Sequence, residues 1–444
     1  MLMVLALSIL SMAYCFSWSL SLIITSALSF LTALSLFQAS SWSSNIAFFS
    51  WDGAAAPLIL LSCWTIFLCI LVSKKTSPSK NSLFLAGNLS LMLILCAAFS
   101  SSSLLVFYIL FEASLVPIFI LILGWGAQPE RFQASMTMFM YMIFTSLPFL
   151  VSIILWESSS GSTEFIFLSS MPQDAMIPAA WATLMVLAFL VKLPIYTLHS
   201  WLPKAHVEAP VAGSMVLAAV LLKLGGYGLM RVTPKILPAL SCPLWALAVV
   251  FVLAGGITMG MACLTQVDVK TLIALSSVAH MALVCGGLFS STSWGETGAY
   301  TIMIGHGFCS SSLFAGANMI YERSGSRSLL VNKGLYLLIP GFFFWWFVIL
   351  AINMSVPPSV NIVGELMAFI GVVQASSFSC WLLFPLGFLP AAYSLMLFSK
   401  TMYGASLKKM LFNSPLQAKE HFVMVFHAFP LILLSFSLPL MIWG

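Results

Sequence analysis

The sequence predicts an all-α polytopic membrane protein of about 14 transmembrane helices, and three observations lead there. Of its 444 residues 61% are hydrophobic and only 7% charged, whereas a soluble domain carries about 25% charged residues. The apolar residues fall into stretches near the ~20 residues that a helix needs to cross a bilayer, separated by short polar joints. The basic residues, finally, collect in alternate joints. A β-barrel would show ~10-residue alternating segments, and the run from Trp181 to Ile195 is instead continuous.

Apolar runs bounded by charges, Pro, Gly or Ser clusters place the spans in order. They lie near residues 2–17, 20–37, 54–72, 83–101, 103–123, 133–156, 179–202, 210–230, 243–263, 268–289, 297–320, 334–374, 378–400 and 421–443. The run from Met1 to Cys15 lacks the positive n-region of a secretory signal and is read as a retained first helix. Two spans are interrupted. The seventh contains Lys192-Leu193-Pro194, and the twelfth, too long for one pass, contains Pro357-Pro358. Proline removes a helix hydrogen bond, and broken backbone at membrane depth survives only against protein or water. These are the two expected discontinuous helices.

The charges fit this map. Thirteen of the 17 Lys and Arg, from Lys74 to Lys419, fall in loops after odd-numbered spans. Loops after even-numbered spans hold only Arg231 and Lys235, while Glu157, Glu164, Asp174 and Glu296 collect there. The positive-inside rule then puts the odd loops on the cytosol-like or matrix-like side and both termini on the other. The net charge of +5 is thereby explained by topology, and nucleic acid is not expected as a partner.

Glu112 in span five precedes His280 in span ten by 168 residues, and Lys192 in span seven precedes Glu365 in span twelve by 173. An offset of five spans, an odd number, implies two repeats of inverted orientation, a recurring transporter design with sites near the midplane. The expected organisation is three N-terminal helices in 1–82, a first five-helix repeat in 83–231, a second in 243–404 and a last helix in 405–444.

Four charges inside these spans need a reason, because each costs roughly 2.5–3.5 kcal/mol at the bilayer centre on insertion scales. They are Glu112, Lys192, Lys223 and Glu365. One reading makes them structural ion pairs or side chains that snorkel to an interface. The other makes them proton-transfer groups, since desolvated Lys and Glu can exchange charged for neutral forms and respond to one another. His280 and His306 titrate near neutrality and are either hydrogen-bonded core residues or further relays, with Gly305 and Gly307 expected to leave room for water. His199 and His206, near Pro194, read equally as part of a hinge or as a proton entrance. Nine cysteines without a CxxC suggest neither disulfides nor a metal cluster. Each of the two buried histidines stands alone on its helix, so no haem site is expected, and no nucleotide or phosphate motif occurs.

The motifs carry a resemblance. The run His199-Ser200-Trp201-Leu202-Pro203-Lys204-Ala205-His206-Val207-Glu208-Ala209-Pro210, continuing to Lys223 and Tyr227, is the strongest, followed by Ser276-Ser277-Val278-Ala279-His280-Met281, Tyr321-Glu322-Arg323 and Pro357-Pro358 to Gly364-Glu365. From about Leu83 to Gly404 the chain resembles the chain 4 family of NADH:ubiquinone oxidoreductase, the mitochondrially encoded antiporter-like subunits of respiratory complex I. The first 80 residues are expected to match poorly. The resemblance implies an antiporter-like fold and a membrane-arm subunit of an H⁺-translocating NADH:ubiquinone reductase. NADH, flavin, iron–sulfur clusters and ubiquinone would lie in other subunits, with no cofactor or metal in this chain. It implies that Glu112 pairs with Lys192, that Lys223 stands at a half-channel junction, that His280 and His306 belong to a hydrophilic axis and that Glu365 is the terminal carrier. Neighbouring antiporter-like subunits, accessory subunits and membrane lipids, with cardiolipin a candidate, are the implied partners, and the mitochondrial inner membrane is the implied location. Related antiporters and the chain 5 family generally place a lysine where Glu365 stands. The open alternatives are a stand-alone cation/proton antiporter and a purely structural spacer.

Overall fold

The computed structural model describes residues 17–36, 49–73, 81–165, 179–236, 242–404 and 415–436. The first predicted span, most of the basic loop that begins at Lys74, and the Asp174 region lie outside them. Every named element within the described residues is helical. In order they are α1 (Trp18–Leu36), α2 (Ala55–Val72), α3 (Asn81–Phe99), α4 (Leu104–Ala113), α5 (Leu115–Trp125), α6 (Arg131–Ser160), α7 (Ala179–Lys192), α8 (Trp201–Glu208) and α9 (Val211–Val216). A π-helical turn (Leu217–Leu221) follows, then α10 (Leu222–Ile236), α11 (Cys242–Thr265), α12 (Val269–Phe289), α13 (Ser293–Ser324), the single turn α14 (Leu335–Leu338), α15 (Pro340–Asn353), α16 (Val360–Ala375), α17 (Cys380–Met402) and α18 (Ala418–Phe436).

Ten helical stretches among the described residues are long and apolar enough to cross a membrane, and three shorter apolar helices, Trp181–Lys192, Pro340–Asn353 and Val360–Ala375, stand beside the interruptions. The helix ends are set by local chemistry. The Ser103 hydroxyl accepts the Val106 amide at the start of α4, and Thr292 accepts that of Gly295 at the start of α13. Gly161 and Gly325, at φ 74° and 66°, close α6 and α13 in the left-handed conformation that glycine adopts without strain. Serine, abundant in the spans, turns its hydroxyl back on the helix, as Ser62 does to the Ile59 carbonyl and Ser277 to that of Ala274. Such bonds let a polar residue sit in an apolar helix without an orphaned hydroxyl.

The chain packs as two units. Among the described residues, the first comprises those up to Pro194 and Glu208–Ala248; the second comprises Ile195–Val207 and those from Val249 onward. In the first, α2 lies against α1, α3 and α9, and α7 lies against α6 and α10. In the second, α13 is the centre, packed on α12, α15, α16 and α18. Residues Leu272–Phe289 of α12 are buried throughout, whereas Phe144, Phe384 and Trp381 point outward from α6 and α17 at 78–80% exposure. Large apolar side chains facing out are what a lipid-facing helix presents.

Both expected interruptions are present. Helix α7 ends at Lys192, and residues 193–200 run without regular helix through Thr197, at φ 80°, before α8 begins at Trp201. Pro194 is also the last residue of the first unit before the chain enters the second. Helices α15 and α16 are separated by Met354–Ser359, which includes Pro357 and Pro358. Span five is broken too, at Ser114, where Pro117 three residues on has no amide for the Ala113 carbonyl.

Candidate functional site

In the first unit, Glu112 sits one residue from the end of α4 and Lys192 ends α7. The Lys192 ammonium donates to the Phe111 carbonyl at 3.1 Å and lies 3.5 Å from the Ser114 hydroxyl. It also stands over the Phe111 ring, 3.3 Å from its centre. The break at Ser114 thus brings polar groups to a lysine that is only 1% exposed. Lys192 contacts the backbone of the residue before Glu112 and acts on the carboxyl through its charge, while Ser146 is its side-chain hydrogen-bond partner. One carboxylate oxygen, Oε1, is buried without a hydrogen-bond partner. A cation, an acid with an open oxygen and two hydroxyls share one apolar site.

Lys223, fully buried, follows the π-helical turn by two residues and donates to the Ala218 carbonyl within that turn at 2.5 Å. π-Turns inside α-helices recur at functional sites. Here the turn supplies a backbone acceptor for the lysine.

The second unit gathers His280, His306 and Glu365. His280 Nδ1 lies 2.9 Å from the Ser276 carbonyl of its own helix and 3.4 Å from the Tyr393 hydroxyl. Its Nε2 is 3.9 Å from Glu365 Oε1, and the same oxygen accepts from the Ser355 hydroxyl at 2.6 Å. The His306 ring lies 5.3 Å from that of His280, centre to centre. The histidines, isolated in sequence, face each other across α12 and α13. Ser355 belongs to the break before α16 and has φ 59°, so the interruption aims a hydroxyl at the buried acid.

One expectation is corrected. The space over Gly305 does not hold water: a Cβ there would lie 2.0 Å from Asn361 Oδ1 of α16. Gly305 lets α13 and α16 approach closely, and the amide of Asn361 reaches back to the Ile352 carbonyl at 3.2 Å, bridging the break. His206 stacks flat on Phe314, with ring centres 4.6 Å apart, and His199 stacks on Tyr196 at 6.0 Å; all four belong to the second unit. Sequence reasoning missed Ser114, Ser146, Ser355, Tyr393 and Asn361. The signals were proline and position: Ser114 stands two residues from Glu112 and three before Pro117, and Ser355 two before Pro357. Among the described residues, no three His, Cys, Asp or Glu side chains gather where they could hold a metal ion.

Two solved structures share the fold. A chain of respiratory complex I from Thermus thermophilus with bound NADH aligns over 99% of both chains with a TM-score of 0.88 at 23% identity. A chain of the archaeal membrane-bound sulfane sulfur reductase aligns over 97% of this chain and 75% of its own, with a TM-score of 0.85 at 17% identity. Fold and site together define a multi-pass, antiporter-like membrane protein with acid–base side chains inside its helices. Residues 101–389 match the family profile "NADH:quinone oxidoreductase/Mrp antiporter, TM" and residues 1–98 match "NADH-ubiquinone oxidoreductase chain 4, amino terminus". The NADH-ubiquinone oxidoreductase chain 4 of Ceratitis capitata is 44% identical over 393 residues, covering 88% of this chain and 87% of that one. That of Tetraodon nigroviridis is 42% identical over 417 residues, covering 91% and 89%. The chain belongs to the NADH-ubiquinone oxidoreductase chain 4 family. The match over residues 1–98 also corrects the expectation that the first 80 residues would align poorly.

Proposed function

We propose that this chain is the proton-translocating membrane-arm subunit of respiratory complex I. It couples NADH oxidation and ubiquinone reduction in other subunits to proton pumping. The observation that carries the reading is the placing of buried Lys192 and Lys223 with partly buried Glu112 in one unit, and of buried His280 and His306 with partly buried Glu365 in the other, each inside apolar helices of a chain 4 family member. Charges so placed are expensive unless they are used. Proton transfer uses them: each group can take or release a proton, and a change of charge at one alters the balance at its neighbour.

Flavin, iron–sulfur clusters and quinone belong to other subunits in this proposal. The chain sits among neighbouring antiporter-like and accessory subunits and membrane lipids, with cardiolipin a candidate. Its location is the mitochondrial inner membrane, with odd-numbered loops on the matrix side and both termini facing the intermembrane space. Fourteen helices, two inverted five-helix repeats in 83–231 and 243–404, and a hinge or proton entrance at Pro194, His199 and His206 complete the reading. Support for the repeats comes from the interruptions, which lie next to Lys192 in one and near Glu365 in the other.

The test is Glu112→Ala or Lys223→Ala in the intact complex. Assembly is expected to persist while coupled NADH oxidation and proton uptake fall by about tenfold or more, the range in which a single proton-transfer group acts. Unchanged pumping in an assembled variant would refute the proposal. Copurification with flavin and iron–sulfur proteins, as against cation exchange by the chain alone in liposomes, separates this reading from a stand-alone antiporter.

A further inference from the structure

Lys223 begins a ladder on α10. Tyr227 and Arg231 follow at four-residue intervals, so all three lie on one face of the helix. The ladder could be a route for protons from the buried lysine to the end of the first unit, where α3 ends and α2 and α4 begin. Its hydrogen bonds say otherwise.

The Tyr227 hydroxyl, fully buried, donates to the Phe99 carbonyl at 2.9 Å and accepts from Arg231 Nη2, also at 2.9 Å. A proton wire needs each member to receive on one side and release on the other. Tyr227 receives from a guanidinium that does not deprotonate in proteins and gives to a carbonyl that has no proton to pass on. Lys223 meanwhile points the other way, to Ala218. The wire is therefore terminated at Tyr227.

Arg231 is held firmly across this end. Its Nη2 lies 2.5 Å from Asp52 Oδ2, with only 11% of the arginine side chain exposed, and its guanidinium stands 5.0 Å from the Tyr227 ring centre and 5.4 Å from that of Phe165. The surrounding loops are knitted together: Ser50 donates to the Ser100 carbonyl, Phe165 to that of Ser102 and Leu104 to that of Thr163, at 2.7–3.0 Å. Beneath them Phe99 and Phe107 pack on Tyr227, with ring centres 5.5 and 5.9 Å away. A fixed arginine over an aromatic constriction is a device that excludes protons and cations from a pore.

We infer that Arg231, positioned by Asp52 and Tyr227, is an electrostatic seal that closes the first unit at this end and prevents protons on Lys223 from leaking out there. The inference rests on the proton-transfer reading of Lys223. The experiment reconstitutes the intact complex in proteoliposomes, imposes a pH gradient and measures passive proton flux with quinone reduction blocked. Arg231→Gln is expected to raise that flux by about tenfold, equivalent to about 1.4 kcal/mol of barrier. A tight Arg231→Gln complex would overturn the seal. Should Arg231→Gln fail to assemble, Asp52→Asn combined with Tyr227→Phe removes both groups that fix Arg231; a leak supports the seal and a tight complex overturns it. Pumping by Glu112→Ala, measured in parallel, reports on the proton-transfer reading separately.

Discussion

Replacing Lys192 with leucine separates what the buried charge does for stability from what it does for function. The ammonium makes one good hydrogen bond, to the Phe111 carbonyl, and one long one, to Ser114, and it sits on the Phe111 ring. A hydrogen bond from a charged donor contributes about 1.5–3 kcal/mol, and a desolvated cation–π contact about 2 kcal/mol. Against these stands a desolvation penalty of several kcal/mol for a buried ion. The lysine's own terms cancel to within about 2 kcal/mol, and Glu112, left without the cation, can take up a proton rather than stay charged, so Lys192→Leu is expected to leave the chain folded and the complex assembled. Pumping is expected to fall by about tenfold or more, because leucine can neither hold a proton nor answer the charge on Glu112. Lys192→Arg should assemble and also fail, since a guanidinium keeps its charge but does not give up a proton. Native gels and the proton-to-electron ratio in proteoliposomes read the two effects. A normal ratio in Lys192→Arg would show that a fixed charge suffices and that no proton passes through this position; loss of assembly in Lys192→Leu would overturn the energy balance.

Two further outcomes follow from the second unit. Gly305→Ala places a Cβ where Asn361 Oδ1 lies, 2.0 Å away, and overpacking of this kind costs about 1–3 kcal/mol; reduced assembly or a lower thermal midpoint of the complex is expected, and a wild-type midpoint would mean that α16 yields freely. Ser355→Ala removes the 2.6 Å hydrogen bond to Glu365 without adding bulk; the complex should assemble with partly reduced pumping, and an unchanged proton-to-electron ratio would show that this hydroxyl does not tune the acid.

The parts of this architecture legible in sequence are those written in composition and proline. Apolar runs marked the helices, and Lys192-Leu193-Pro194 and Pro357-Pro358 marked the breaks. Spans six and eleven run longer than their apolar cores, to Arg131–Ser160 and Ser293–Ser324, because capping by Thr292, Gly161 and Gly325 sets their ends rather than hydrophobicity. The break at Ser114 was marked by Pro117, a signal the reading of the runs passed over, whereas the π-turn at Leu217–Leu221 left no mark, since it lies among ordinary helix formers. The histidine pair was invisible for a different reason: His280 and His306 are 26 positions apart in sequence and meet only because α12 packs on α13.

The buried charges and the helix irregularities are one design. An intact α-helix uses all its interior carbonyls on its own amides and has none to offer a buried ion. Each charge here lies beside a place where that economy is broken. Lys192 finds the Phe111 carbonyl and the Ser114 hydroxyl at the interruption of α4 and α5. Lys223 finds the Ala218 carbonyl in the π-turn, and Glu365 finds Ser355 in the gap between α15 and α16. A backbone acceptor beside each lysine and a hydroxyl beside the acid provide partners that do not compete as fixed counter-charges. In the proton-transfer reading that is the useful arrangement, because a fully matched ion pair would hold its charges in place, whereas these partners leave each group able to change protonation state when its neighbour does.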